Sequence, residues 1–158
     1  MILAATGHRP DKLGGYSDEV LARLQRLAAA WIVDYHPTQV ISGMALGWDT
    51  AVALAAIEHG YPLVAAVPFV GQESIWPKAA QERYRKILAH AEVRIISPGG
   101  FSVGKMQYRN EWMVNRCDRL VALWDGSSGG TANCVFYADR KKKPYDNLWP
   151  RWIEEKVT

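Results

Sequence analysis

The turn Gly126-Ser127-Ser128-Gly129-Gly130-Thr131 holds the residue types best suited to gripping a phosphate. Glycines let a backbone approach an anion closely. The first N–H groups of a helix lack partners within it and lie at its positive dipole end. Ser128 and Thr131 add hydroxyls, so Gly129, Gly130 and Thr131 are ligand-binding candidates; no Gly-Lys-Ser/Thr follows, so this is not a Walker loop. A second turn, Ser42-Gly43-Met44-Ala45-Leu46-Gly47-Trp48-Asp49, repeats the layout. Ser42, Gly43 and Gly47 suit a tight approach to a ligand. Asp49 can orient a sugar hydroxyl, polarise a water, or simply steady the start of the next helix. A third group is Thr6-Gly7-His8-Arg9-Pro10, where Gly7 precedes two basic side chains, His8 and Arg9, that complement a phosphate or merely solvate a turn fixed by Pro10. Arg109 shares a helix face with Met113 and Arg116 and can clamp a phosphate through parallel N–H bonds.

The two cysteines, Cys117 and Cys134, lack metal-ligand spacing and nearby histidines, so no metal site is expected. Cys134 can act as a nucleophile only with a lowered thiol pKa; otherwise it is a small residue packing a helix on a sheet. No cofactor is implied.

Something must bring these groups together, and the apolar pattern says what. Short apolar runs at 2–6, 39–42, 62–68, 93–97 and 119–124 alternate with amphipathic or alanine-rich stretches at 17–34, 48–59, 77–90, 104–116 and 131–142. A further short strand fits 145–148. Strand–helix alternation with strands apolar throughout predicts an α/β fold, a Rossmann-like three-layer sandwich around a mainly parallel sheet of five to six strands. Right-handed crossovers place the carboxyl end of every strand along one edge, where such sheets bind ligands. Glycine and small polar residues follow each of the first five strands.

The 158 residues suit one domain, expected over 1–148 with a polar tail at 149–158. Hydrophobic residues make up 49% and charged residues 22%, which fits a folded globule. A net charge of +3 fits an anionic small ligand; without a basic stripe interleaved with aromatics, nucleic acid is not expected as a partner. Residues 1–6 read as a strand and not as a signal peptide, and no apolar run approaches the ~20 residues of a membrane span, so a cytoplasmic location and no membrane partner are expected. Four of the seven tryptophans (Trp48, Trp76, Trp112 and Trp124) fall near element edges, where they pack or stack on a base. Tyr108 and Trp112, one turn apart, point to a partner helix and so to a homodimer or higher homo-oligomer, with core packing as the alternative. Lys141 to Lys143 favour a helix C-terminus.

Taken in order, these segments resemble a known superfamily. Ser42-Gly43-x-Ala45-x-Gly47-x-Asp49 is similar to the segment after the second strand of the Smf/DprA DNA-processing proteins. Met106 to Met113, then Cys117-Asp118, then Gly129-Gly130-Thr131 resembles the corresponding stretch of the LOG phosphoribohydrolases. Both groups belong to the SLOG superfamily. The opening Thr6 to Tyr16 and the ending Asp125 to Ala138 look most like its small YpsA-like branch, and the resemblance spans roughly residues 1 to 144. It implies a modified Rossmann fold that binds a nucleotide or nucleotide-derived small molecule, with a sensor or signalling role as the expectation. LOG enzymes cleave the N-glycosidic bond of nucleoside monophosphates with an arginine and a glutamate. Arg109 falls on that arginine; the glutamate position holds Cys134. Glycosidic cleavage builds positive charge on the sugar, which a carboxylate stabilises and a neutral thiol does not. An enzyme would therefore need a relocated acid, with Arg109 and Asp49 as the catalytic pair to test and Glu73, Glu111 and Asp125 as the other acids. Ligand binding is the leading expectation, LOG-type hydrolysis the alternative, and single-stranded DNA binding of Smf/DprA type the third.

Overall fold

The computed structural model describes residues 1–157. Six strands form one sheet: β1 (Ile2–Gly7), β2 (Gln39–Ser42), β3 (Leu63–Val67), β4 (Glu92–Ile95), β5 (Arg119–Leu123) and β6 (Tyr145–Asn147). The helices are α1 (Asp18–Tyr35), α2 (Trp48–Glu58), α3 (Lys78–Leu88), α4 (Val103–Arg116), α5 (Gly130–Arg140) and α6 (Trp149–Val157), with short 3-10 turns at Pro10–Lys12 and Gln72–Ile75. Every strand pair is parallel, in the order β4-β3-β2-β1-β5-β6. The chain steps outward from β1 to β4 and then restarts beside β1 with β5. The order reverses between β1 and β5, and their carboxyl ends open a crevice there.

The sequence explains each layer. Ser17 caps α1, its Oγ accepting from Val20 N at 3.2 Å, and the buried stripe Val20, Leu24, Leu27, Ala28, Trp31 faces the core. Alanine-rich α2 is buried almost all round, packed against α1, α3 and the sheet, so it shows no polar face. The second face of the sheet carries α4 and α5 over Ala4, Ile41, Val64 and Leu120. Strand β4 is an edge, exposed at all four positions, with Arg94 paired to Glu92 at 3.2 Å. Charges at an edge discourage pairing with another chain.

The sequence expectation fails at the end of the described chain. Residues 149–157 form helix α6 and not a polar tail. Trp152 is fully buried with Leu148 in the α1–α2 core, and the Arg23 guanidinium lies 4.9 Å from its ring centre. Asn147 Oδ1 accepts from Trp149 N at 3.1 Å and so starts the helix. Among the described residues, no helix is long and apolar enough to cross a membrane.

Candidate functional site

A cleft of about 460 Å³ opens at the β1/β5 switch point. The loops after β1 and β5, the first turn of α5, Asp49 of α2, and the start and middle of α4 wall it. Helix α5 begins without a side-chain cap. Its ladder starts at Asn133 N, which donates to Gly129 O at 3.0 Å, so the N–H groups of Gly130, Thr131 and Ala132 precede it. Gly129 has φ +139°, a conformation that favours glycine. A Cβ built on Gly129 or Gly130 would meet nothing within 4 Å, so the space in front of these donors is open.

Arg109 reaches the same cleft from α4 and is only 4% exposed. Its Nε donates to Asn110 Oδ1 at 2.9 Å and its Nη1 to the Gly43 carbonyl at 2.5 Å. Among the described residues Nη2 has no hydrogen-bond partner. Asp49, also 4% exposed, lines the cleft. Its Oδ2 accepts from Ala45 N at 3.3 Å, while Oδ1, itself covered, has no hydrogen-bond partner among the described residues. Burial pushes the Asp49 carboxyl up to about 6, against the pull of Arg109, the Ala45 N–H and Arg9. Burial likewise lowers the Arg109 guanidinium, and the Asp49 charge opposes that shift. The two charges lie farther apart than a contact ion pair, so neither neutralises the other's hydrogen-bonding capacity.

The loop before α2 holds Asp49 in place from behind. Ser42 Oγ donates to Asp49 O at 2.8 Å and accepts from Met44 N at 3.1 Å, and Thr50 Oγ1 donates to Ala45 O at 2.8 Å. Buried Met44 takes a left-handed φ of 62° within this network.

Of the residues singled out in the sequence, Gly7, His8, Arg9, Asp49, Arg109, Gly129, Gly130 and Thr131 line the cleft. Ser42, Gly43 and Gly47 do not. Gly43 makes room for Arg109, because a Cβ there would lie 2.6 Å from Nη1. Gly47, at φ +88°, lets α2 close on the His8 carbonyl, which a Cβ would approach to 2.5 Å. His8 is buried with its Nε2 committed to Asp125: it lies 2.9 Å from Oδ1 and 3.0 Å from the Asp125 backbone N. It joins the β1 and β5 loops, with Trp149 edge-on at 5.9 Å. The other acids are placed elsewhere. Asp125 binds Ser127 N and Oγ as well as His8, and these bonds hold its carboxyl well below the usual range. Glu111 takes the Gln107 amide at 3.2 Å, and neither it nor Glu73 lines the cleft. Burial pushes the Cys134 thiol up to about 12, so at neutral pH it is no thiolate.

Sequence reasoning did not single out Lys12, Phe101 or Asn110, which also line the cleft. Lys12 Nζ donates to Ser127 Oγ at 2.7 Å, a contact between positions 115 apart that no local pattern announces. The tryptophans are not the cleft's aromatics: Trp48 is fully buried, and Trp76, Trp112 and Trp124 do not line it.

An all-parallel doubly wound sheet with such a cleft at its switch point defines a Rossmann-type α/β protein. The family model described as the YspA SLOG family matches residues 3–151, and the chain belongs to that family. The SPbeta prophage-derived protein YoqJ of Bacillus subtilis (strain 168) is 33% identical over 152 residues, with 84% of each chain covered. Among solved structures, the DNA processing protein A of Helicobacter pylori, described for its single-stranded DNA binding mode, superposes with a TM-score of 0.64 at 17% identity, over 92% of this chain and 63% of that one. The molybdenum cofactor carrier protein of Chlamydomonas reinhardtii superposes with a TM-score of 0.54 at 19% identity, over 91% of this chain and 72% of that one. At such identities the likeness shows the fold alone. The expectation that nucleic acid is not a partner gains no support from these neighbours.

Proposed function

We propose that the cleft binds a nucleotide or nucleotide-derived small molecule, its phosphate lying on the N–H groups of Gly130 to Ala132 with Arg109 as the clamp. The observation that carries this reading is the uncapped start of α5, whose open donors face the same cleft as a buried arginine with an unused Nη2. Arg9 and Lys12 on the rim add positive charge. The test is calorimetric titration with AMP, GMP, CMP and UMP, in the wild type and in Gly130→Val. The space before Gly130 is open, so the variant folds and its side chain occupies the phosphate position. Loss of binding is expected; unchanged affinity would refute the site. A single-stranded oligonucleotide run beside these probes tests DNA as the ligand.

We also propose a homo-oligomer. Tyr108 is 57% exposed, and it and Trp112 border an open groove of about 520 Å³ across β2, β3 and β4, which the two helices of that face leave uncovered. Light scattering on the purified protein measures the state, and a monomer would dismiss the idea.

A further inference from the structure

Phe101 has no part in the core, yet it stands where a ligand would pass. It is 70% exposed on the rim of the cleft, beside Val103 at 74% and Met106. Its ring neighbour Phe69 meets it edge to face, 5.9 Å between centroids at 78°, which steadies the ring without covering it. The backbone around it is fixed. Lys105 Nζ donates to the carbonyls of Pro98 at 2.5 Å and Gly100 at 2.6 Å, and Ser102 Oγ caps α4 by accepting from Lys105 N at 3.2 Å. The same helix carries Arg109 about two turns farther on, roughly 10 Å along its axis. One cleft thus combines an exposed apolar ring with anion donors, which matches a ligand with a flat ring joined to a phosphate.

Resting on the nucleotide reading above, we infer that Phe101 is the stacking platform for the ligand's planar ring, so that the site holds the phosphate by hydrogen bonds and reads the ring by its face. Every nucleobase has such a face, so stacking tolerates base identity where edge hydrogen bonding would not. The cleft residues nearest Phe101 in the chain, Val103 and Met106, are apolar and offer a base no edge hydrogen bond. The occupant is a mononucleotide-sized heteroaromatic phosphate of relaxed base preference.

The experiment titrates wild type, Phe101→Ala and Phe101→Tyr with AMP, with CMP and with ribose 5-phosphate, which has the phosphate and sugar but no ring. Phe101→Ala should weaken AMP and CMP on the order of 10- to 100-fold and leave ribose 5-phosphate unchanged. Phe101→Tyr should retain wild-type affinity for all three. Because Phe101 is exposed, the alanine variant folds, and its thermal midpoint confirms that. Equal losses on ribose 5-phosphate and on the nucleotides, or no loss on either, would overturn the inference while leaving the nucleotide reading intact. If the wild type binds neither AMP, CMP nor ribose 5-phosphate, the nucleotide reading itself fails and the inference with it.

Discussion

Arg109 is held by a backbone carbonyl and an amide side chain, not by a carboxylate. Two of its three nitrogens are spoken for by Gly43 O and Asn110 Oδ1, which aims the third without neutralising the charge. Arg109→Ala is expected to weaken AMP binding by about 1.5–3 kcal/mol, the range for a hydrogen bond to a charged group. Gly43→Ala provides the control that keeps the charge. Its new Cβ would sit 2.6 Å from Nη1 and 2.8 Å from Cζ, so the guanidinium must swing aside. Affinity should fall in the same direction by a smaller amount, with folding checked by urea denaturation. Wild-type affinity in both variants would dismiss the clamp. Hydrolysis is judged at the same scale. The position of the LOG glutamate holds a buried thiol pushed up to about 12, and of the acids weighed as replacements only Asp49 lines the cleft. Its free oxygen is covered. Losing one well-placed electrostatic group costs on the order of 100- to 1000-fold in rate. Release of free base from nucleoside monophosphates should therefore stay far below about 1 per second, an ordinary enzyme rate. Faster release that vanishes in Asp49→Asn would establish the hydrolase instead.

Helix α6 is the element that the sequence hides. Trp149, Trp152 and Ile153 have helical spacing, but Pro150, Arg151 and Glu154 between them read as a polar end. Trp152 packs in one cluster with α1 residues and Leu148, a meeting no local window contains. Trp152→Ala should cost about 3–5 kcal/mol of stability, as for other fully buried aromatics. The urea midpoint measures it, and a shift below about 1 kcal/mol would place α6 outside the cooperative unit. The other elements were legible because apolar runs and amphipathic stretches alternate clearly, with ends only one or two residues from those expected. The lining of the candidate cleft was legible in local turn chemistry, at Gly129 to Thr131 and at His8-Arg9. It was illegible where a residue works through distant partners. Ser42, Gly43 and Gly47 look like a ligand loop, yet they position Asp49, Arg109 and the His8 carbonyl from behind. Phe101, in a glycine-rich loop, has no periodicity to mark it.

The cost of burying Asp49 is borne by the whole molecule, since global unfolding relieves it. In the unfolded chain the carboxyl titrates near 3.9; in the fold it titrates at about 6. Between these values the folded state keeps a proton that the unfolded state has lost, so stability falls as pH rises through that window. Below about pH 4 the group is neutral in both states and costs nothing. Above its folded value the full penalty is present, about two pKa units or on the order of 3 kcal/mol. Asp125 acts in the opposite sense. Its carboxyl is held below the usual range by Ser127 and His8, so its contribution is present above the ordinary value and is lost only in stronger acid, outside this window. Cys117 and Cys134, pushed up to about 11 and about 12, withdraw stability only as alkaline pH ionises the unfolded thiols. The urea midpoint of the wild type should therefore be higher at pH 4.5 than at pH 7. In Asp49→Asn the residue cannot ionise, and that difference should flatten. Removing the charge also leaves Arg109 without its opposing field, so the decisive readout is the slope with pH and not the absolute stability at one value. A slope retained in Asp49→Asn would show that the buried carboxyl is not its source.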